Sequence, residues 1–319
     1  MNRQFEIKVL GCNSAMPAHG RNPTSQYLRI HKHHFLIDCG EGTQKTMGRW
    51  KIPRQSIRHI FISHLHGDHY FGLPGLINSM ILQGRKEPLT IFSPPGLNQL
   101  IAKVFDLAGA EPTHEILFKE LTHEQGAHKI CALENVDVFA FPLKHRIPCY
   151  GYLFQEKQTR RNLNPEMLQK YAVPREQRQG LQDGKDYVLS NGALIPNEKF
   201  LIDPPENRSY AFCTDTLYLP GLSDILQGTY VLYHEATFEH ELLEKAKLSF
   251  HTTAKEAAWL ARDAEVKHLI LGHYSSRYKS PKILRDEARQ EFSNTHLAVE
   301  GTSYFITRHE NVEKTLHME

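Results

Sequence analysis

Over residues 5–10, 26–31, 35–38 and 58–62 apolar and polar side chains alternate, with turn residues between the runs. A period of two belongs to strands, so a meandering half-sheet of four strands is expected over the first 62 residues. After residue 69 the interval lengthens. Phe71, Leu76, Ile77, Met80 and Ile81 fall at helical spacing, which predicts a helix over 70–83. Residues 89–93 read as a strand, 97–108 as a helix and 137–142 as a strand. Strands alternating with helices, twice along the chain, predict an α/β architecture of two β-sheets stacked face to face with helices outside.

The pattern breaks over 155–205, where Pro165, Pro174, Pro196, Pro204 and Pro205 accompany many Gln and Lys and few large apolar residues. Basic and acidic side chains nearly balance there, and Gly180, Gly184 and Gly192 suggest the turns of a hairpin-like element. Long non-core segments inside a compact domain are usually functional or disordered. This one is expected to be an inserted arm within a single domain spanning 1–319. The alternation resumes with strands over 210–215 and 230–233 and a helix over 238–247. A further helix starts at about Ala254, opened by the capping box Thr253-Ala254-Lys255-Glu256. A strand over 267–271, a helix over 281–292 and a strand over 304–307 close the chain.

A chain of 319 residues can bury a large core. Its net charge of +2 gives none of the strongly basic field that announces nucleic acid by itself, and neither supports nor excludes an RNA substrate. The five cysteines, Cys12, Cys39, Cys131, Cys149 and Cys213, are odd in number and scattered, several within apolar strand-like runs. They read as reduced core residues of a cytosolic protein. No run approaches the roughly 20 apolar residues that span a bilayer, and the start lacks a signal-peptide pattern. A cytoplasmic protein without a membrane partner is expected.

Four short apolar runs end in a side chain of metal-binding type: Ile60-Phe61-Ile62 before His64, Val138-Phe139-Ala140-Phe141 before His145, Tyr210-Ala211-Phe212 before Asp215, and Leu269-Ile270-Leu271 before His273. Ligands at strand ends on one rim of a sheet can converge on one cleft. The densest group is Ser63-His64-Leu65-His66-Gly67-Asp68-His69. His64 and His66, two apart on an extended segment, point to the same side and can share one ion. Asp68 and His69, past the turn at Gly67, face a second. Imidazole and carboxylate without thiolate suit zinc or manganese, in sites that keep a position open for water. Among the 20 histidines, His31, His33 and His34 read as surface.

His64, His66, Asp68 and His69 spell the His-x-His-x-Asp-His signature of the metallo-β-lactamase superfamily, which the chain resembles. The resemblance implies an αββα four-layer sandwich. It does not name a substrate, since that fold serves lactams, thioesters and phosphodiesters alike. Three further stretches are similar to the ribonuclease Z family of tRNA 3′-processing endonucleases. They are Tyr70-Phe71-Gly72-Leu73-Pro74-Gly75-Leu76; His234-Glu235-Ala236-Thr237-Phe238 with His251-Thr252-Thr253-Ala254; and Leu271-Gly272-His273-Tyr274-Ser275-Ser276-Arg277-Tyr278. Met16-Pro17-Ala18-His19-Gly20-Arg21-Asn22 resembles the family loop near the tRNA 3′ end, with His19 where a basic residue is common. Residues 155–205 stand where the family carries a flexible arm that grips the tRNA elbow, although Val173-Pro174-Arg175-Glu176-Gln177 replaces the Gly-Pro-rich tip of many bacterial members.

The resemblance implies two zinc ions per subunit, or manganese. His64, His66 and His145 would hold one, Asp68, His69 and His273 the other, and Asp215 would bridge them. It further implies that Asp68 orients and deprotonates the attacking water, that His251 protonates the leaving ribose 3′-oxygen, and that Glu235 holds His251. Read without the resemblance, His251 could cap a helix, Glu235 could pair with a buried Arg, and His234 supports the fold. The implied protein is a homodimeric, zinc-dependent endoribonuclease that removes the 3′ trailer from tRNA precursors and leaves a 3′-hydroxyl. The competing enzyme is another hydrolase of this fold, acting on a small phosphodiester, thioester or lactam. The arm speaks against it, because a small substrate gains nothing from such a projection. An RNA-binding protein that has lost catalysis would lack ligands, and none is missing.

Overall fold

The computed structural model describes residues 5–158, 161–203, 206–307 and 312–316; Pro204 and Pro205 lie outside them. Strand Phe5–Gly11 pairs antiparallel with Ser25–Ile30, which pairs antiparallel with His33–Ile37. Ile57–Phe61, Leu89–Ser93 and Ile116–Glu120 then add in parallel order. On the far side of Phe5–Gly11 lie Thr302–Ile306 and Val312–Leu316, completing an eight-stranded sheet. The second sheet has seven strands, in the order His128–Ala132, Val136–Leu143, Cys149–Glu156, Ser209–Cys213, Val231–Glu235, His268–Gly272 and Thr295–Leu297. The last four run parallel.

Period-two alternation sorts side chains between two apolar environments. Phe35 and Ile37 enter the core between the sheets, whereas Leu36 faces the helices; Phe61 enters the core between Ile60 and Ile62, which face outward. Across that core the Phe61 ring lies 5.2 Å from both Phe154 and Tyr152, and Phe35 lies 5.3 Å from Phe154. Helices Leu73–Leu82 and Leu97–Ala108 press Leu76, Ile77, Ile101 and Phe105 onto the outside of the first sheet. Helix Ala254–Asp263 covers the second sheet with Ala257, Ala258, Leu260 and Ala261, and its capping box is formed as expected. The result is four layers: helix, sheet, sheet, helix.

Several elements differ from the sequence pattern for identifiable reasons. The helix expected over 70–83 is two, Gly67–Tyr70 and Leu73–Leu82. Between them Gly72 N donates to Cys39 O (2.9 Å) rather than into a helix, and Pro74 has no N–H to give. The helix expected over 238–247 begins late, as a 3₁₀ turn at His240–Leu242 followed by Leu243–Ser249, because Phe238 is held in a bridge with Thr253. Ile116–Glu120 and His128–Ala132 are edge strands in which no residue is fully buried. Cys149–Glu156 is buried on both faces, so it shows no alternation to read. His31, His33 and His34 are half-buried rather than surface, with Tyr27 Oη 2.7 Å from His34 Nδ1.

The chain divides into two compact units, one of residues 1–155 and 208–319, the other of Glu156–Asn207. The smaller unit has its own core of Val173, Leu181, Ile195 and Phe200. Asn164 caps helix Pro165–Lys170 by accepting from Glu166 N and Met167 N. Gly184 and Gly192 turn the chain with φ of +94° and +84°, but Gly180 lies inside helix Arg175–Gln182 and marks no turn. All five cysteines are free, and four of them are buried. Among the described residues no helix is long and apolar enough to cross a membrane.

Candidate metal centre

Parallel strands deliver their C-terminal ends to one edge of a sheet. Asp215 follows Ser209–Cys213 by two residues, Glu235 ends Val231–Glu235, and His273 directly follows His268–Gly272. A Cβ on Gly272 would lie 2.1 Å from Tyr233 Oη, so the residue before His273 must be glycine. His145 follows Val136–Leu143, and the 64–69 loop follows Ile57–Phe61 from the facing sheet.

These ends meet in two groups. His64, His66, His145 and Asp215 form one, Asp68, His69 and His273 the other, each with its potential ligand atoms within 4.8 Å of one another. In the first, His66 Nδ1 lies 3.0 Å from His64 Nε2 and 3.1 Å from His145 Nε2. Asp215 stands between the groups. Its Oδ2 is 3.6 Å from His64 Nε2 and 3.8 Å from His145 Nε2, while Oδ1 is 3.3 Å from His69 Nε2 and 3.1 Å from His273 Nε2. Asp68 Oδ2 lies 3.4 Å from His69 Nε2 and 3.6 Å from His273 Nε2. It also accepts from Ala15 N at 2.8 Å.

Four of the five imidazoles are turned by a partner on the opposite nitrogen. His64 Nδ1 faces Ser63 Oγ (3.0 Å), His69 Nδ1 faces Asp38 Oδ2 (2.7 Å), His145 Nδ1 faces Phe250 O (3.1 Å) and His273 Nδ1 faces Thr237 Oγ1 (3.0 Å). Such partners fix the tautomer and aim Nε2 inward. The Nε2 atoms of His69 and His273 are then buried with no hydrogen bond among the described residues. Ring nitrogens converging on one another and on carboxylates fit divalent cations in both groups. A donor set of imidazole and carboxylate suits zinc or manganese.

Electrostatics divide the groups. Burial, reinforced by neighbouring imidazoles, holds His64, His66 and His145 below the usual histidine range, in the neutral form that ligates. Burial also opposes the charged form of His69, yet the carboxylates of Asp215, Asp68 and Asp38 push it well above its ordinary value. Asp215 and Asp68 stay ionised although burial opposes it. His273, His69 and His64 hold the first down, His69 and His273 the second. Three acidic groups crowd His69, so the centre calls for more positive charge than its side chains supply.

Beside the metal groups lies a proton-bearing pair. Glu235 is fully buried and accepts from His251 Nδ1 (2.9 Å), Thr216 N (2.8 Å) and Thr237 Oγ1 (2.5 Å). Burial disfavours imidazolium at His251, but Glu235 outweighs it and pushes the group up to about 9. His251 lies within ligand reach of Asp215 and His273, but both already belong to the two groups above. Thr253 rather than His251 caps the following helix, and His234 is buried with Nδ1 2.8 Å from Glu235 O, outside both groups. His66, Asp68, His145, Asp215 and His273 of the ligand groups line a cleft of about 530 Å³ with His251, Arg146, Ser249, Met16 and Phe71, while His64 and His69 lie buried behind it.

Asp38 is the functional side chain that sequence reasoning passed over, taking it only as a strand end. It is fully buried, accepts from Ser63 N (2.7 Å), Ser63 Oγ (2.9 Å) and His69 Nδ1 (2.7 Å), and has φ of +54°. Asp215 and His273 share that uncommon backbone region, with φ of +41° and +57°. Non-glycine residues there carry strain that surrounding contacts must hold. Asp38→Ala should weaken metal binding about 10- to 100-fold, the range seen for partners of ligating histidines. Chelator competition would read the shift, and unchanged metal affinity would remove Asp38 from this role.

Comparison with known proteins decides the family. The chain is 41% identical over 298 residues to ribonuclease Z of Parabacteroides distasonis, covering 93% of this chain and 97% of that one. The chain belongs to the ribonuclease Z family. Ribonuclease Z of Bacteroides thetaiotaomicron is 39% identical over 306 residues, 96% of each chain. Residues 5–298 also match the family model of anti-Pycsar protein Apyc1, so the chain falls within that family as well. The crystal structure of human tRNase Z, short form, superimposes with a TM-score of 0.68 at 25% identity, covering 93% of this chain and 98% of that one. A metallo-β-lactamase fold protein of Bacillus subtilis gives 0.65 at 15% identity over 94% and 98%. The four layers are thus the metallo-β-lactamase fold expected from the signature at His64 to His69.

Proposed function

We propose that this ribonuclease Z relative is a two-metal endoribonuclease that removes the 3′ trailer from tRNA precursors and leaves a 3′-hydroxyl on the tRNA. The observation that carries the reading is the buried Glu235–His251 pair (2.9 Å), opening on the same cleft as two ligand groups joined at Asp215. A thioester hydrolase has no evident use for that pair, since a thiolate leaves without a proton. His64, His66 and His145 would hold one cation, Asp68, His69 and His273 the other, with Asp215 shared. Two such cations would bring the pKa of an attacking water toward about 7 and neutralise the charge that grows during in-line displacement.

The chain's own residues do the rest. Asp68, ionised and fixed by Ala15 N, orients the water and accepts its proton. The new bond forms between that water's oxygen and phosphorus as the bond to the ribose 3′-oxygen breaks. His251, protonated at neutral pH, donates its Nε2 proton to the departing oxygen while Glu235 keeps the ring aimed. The phosphate stays on the 5′ end of the trailer. Two zinc ions per subunit, a homodimer and a cytoplasmic setting complete the reading, with manganese acceptable to the same donors; sedimentation of the purified protein tests the dimer.

We read the 155–205 segment as an arm for the tRNA body, supported by a composition unlike the core and by a fold unit of its own. The strands that flank it are neighbours, because Gln155 pairs with Ser209. Joining those strands by a short turn should therefore spare hydrolysis of bis(p-nitrophenyl) phosphate yet weaken tRNA precursor cleavage at least about tenfold. Equal loss of both activities would deny the arm this role.

The test of the function itself is incubation with a tRNA precursor bearing a 3′ trailer, with and without a chelator, and mapping of both product ends. One chelator-sensitive cut after the discriminator nucleotide, with a 3′-hydroxyl, is the expected result. An intact precursor beside active hydrolysis of a small phosphodiester would overturn the substrate and leave the metal chemistry.

A further inference from the structure

The cleft has two unlike walls. On one, His145 Nδ1 is tied to Phe250 O (3.1 Å) and Arg146 Nη2 to Leu248 O (3.2 Å), so Arg146, Ser249 and His251 form a polar, cationic side. On the other, Gly72 N donates to Cys39 O and a Cβ on Gly40 would lie 2.3 Å from Asp68 O, so the chain around Glu41 runs along Phe71. Pro23 packs against Gly40, and Ala15 N on Asp68 brings Met16 to the same side. Of the large apolar side chains left exposed among the described residues, Met16 (57%) and Phe71 (64%) are the two that line this cleft.

Phe71 is propped rather than loose. Its ring stands edge-on to Tyr70 at 5.0 Å, and a Cβ on Gly67 would lie 2.2 Å from it, so the ring rests directly on the metal loop's backbone. An aromatic face held open to water at the mouth of a phosphodiester site is a platform for a base, since base stacking on such faces is strong and indifferent to sequence. Glu41 on this wall repels a phosphate and leaves room for a base.

The direction of the reaction assigns which base. Resting on the trailer-cleaving function proposed above, the departing 3′-oxygen belongs to the tRNA and lies toward His251, so the nucleotide retaining the phosphate extends toward the opposite wall. We propose that Phe71, with Met16 beside it, is the stacking shelf for the first nucleotide of the 3′ trailer.

The test is a cycle between enzyme and substrate, using the metal-loaded full-length protein. Precursors with a normal or an abasic first trailer nucleotide are cleaved by wild type, Phe71→Ala and Phe71→Trp, and kcat/KM is compared at equal metal content. Phe71→Ala should lose about tenfold on the normal precursor, in the range of one stacked base. It should lose nothing further on the abasic one, while Phe71→Trp keeps the wild-type preference. Equal losses on both precursors would overturn the shelf, as would coupling to the discriminator nucleotide instead. If wild type leaves the normal precursor uncut, the proposed function fails, and the shelf fails with it for that separate reason.

Discussion

Asp215→Ala should leave a folded protein that binds neither metal stoichiometrically and cuts tRNA precursors roughly 1,000-fold more slowly or worse, beyond the 10- to 100-fold typical of a partner behind a ligand. The reason is position. Asp215 is the carboxylate whose two oxygens address both ligand groups, Oδ1 toward His69 and His273, Oδ2 toward His64 and His145. Without it each group keeps three side chains, but two cations would face each other with no carboxylate shared between them. Asp215→Asn separates charge from shape: it retains the outline, and its metal content should still fall from two toward one. Elemental analysis alongside precursor cleavage reads both effects. An alanine variant that keeps two metals and its activity would show the bridge to be misplaced.

His251→Ala should lose about 100- to 1,000-fold on tRNA precursors, the usual contribution of a positioned proton donor, with metal content intact. The ribose 3′-oxygen leaves as a strongly basic alkoxide unless a proton meets it. p-Nitrophenolate needs no such help, so the same variant should hydrolyse bis(p-nitrophenyl) phosphate within a few-fold of wild type. The pH profile gives an independent reading. Because Glu235 raises His251, the imidazolium persists at neutral pH and is lost as pH rises through its pKa, so activity should fall on the alkaline side. That limb lies at or below about 9, since neighbouring cations can only depress the group. It should vanish in the variant. Equal losses on both substrates would assign His251 to metal binding or to the fold rather than to proton donation.

How much of this was legible in the sequence depended on distance along the chain. The 64–69 loop announces itself because four ligand-type side chains crowd one turn, and His145, Asp215 and His273 stand out where apolar strands stop. The outer partners do not. Asp38 acts on a histidine 31 residues away and Thr237 on one 36 away, while Phe250 serves His145 through a backbone carbonyl 105 residues off, which no side-chain pattern encodes. Asp38 did carry a signal, the same apolar run ending in a carboxylate that marks Asp215. The fold failed to show in the same way where both faces of a strand are buried, as in Cys149–Glu156, or where a tertiary bond from Gly72 to Cys39 interrupts a helical pattern.

The left-handed backbones of Asp38, Asp215 and His273 bear on how long the molecule survives. A centre built from strained residues and crowded carboxylates is the part of the protein most ready to open when no cation holds it. Cations that bind the folded form alone raise its stability by mass action. Scarcity of metal would therefore do more than silence the enzyme. It would deliver the unloaded chain to proteases, so that the supply of the ion governs abundance as well as turnover number.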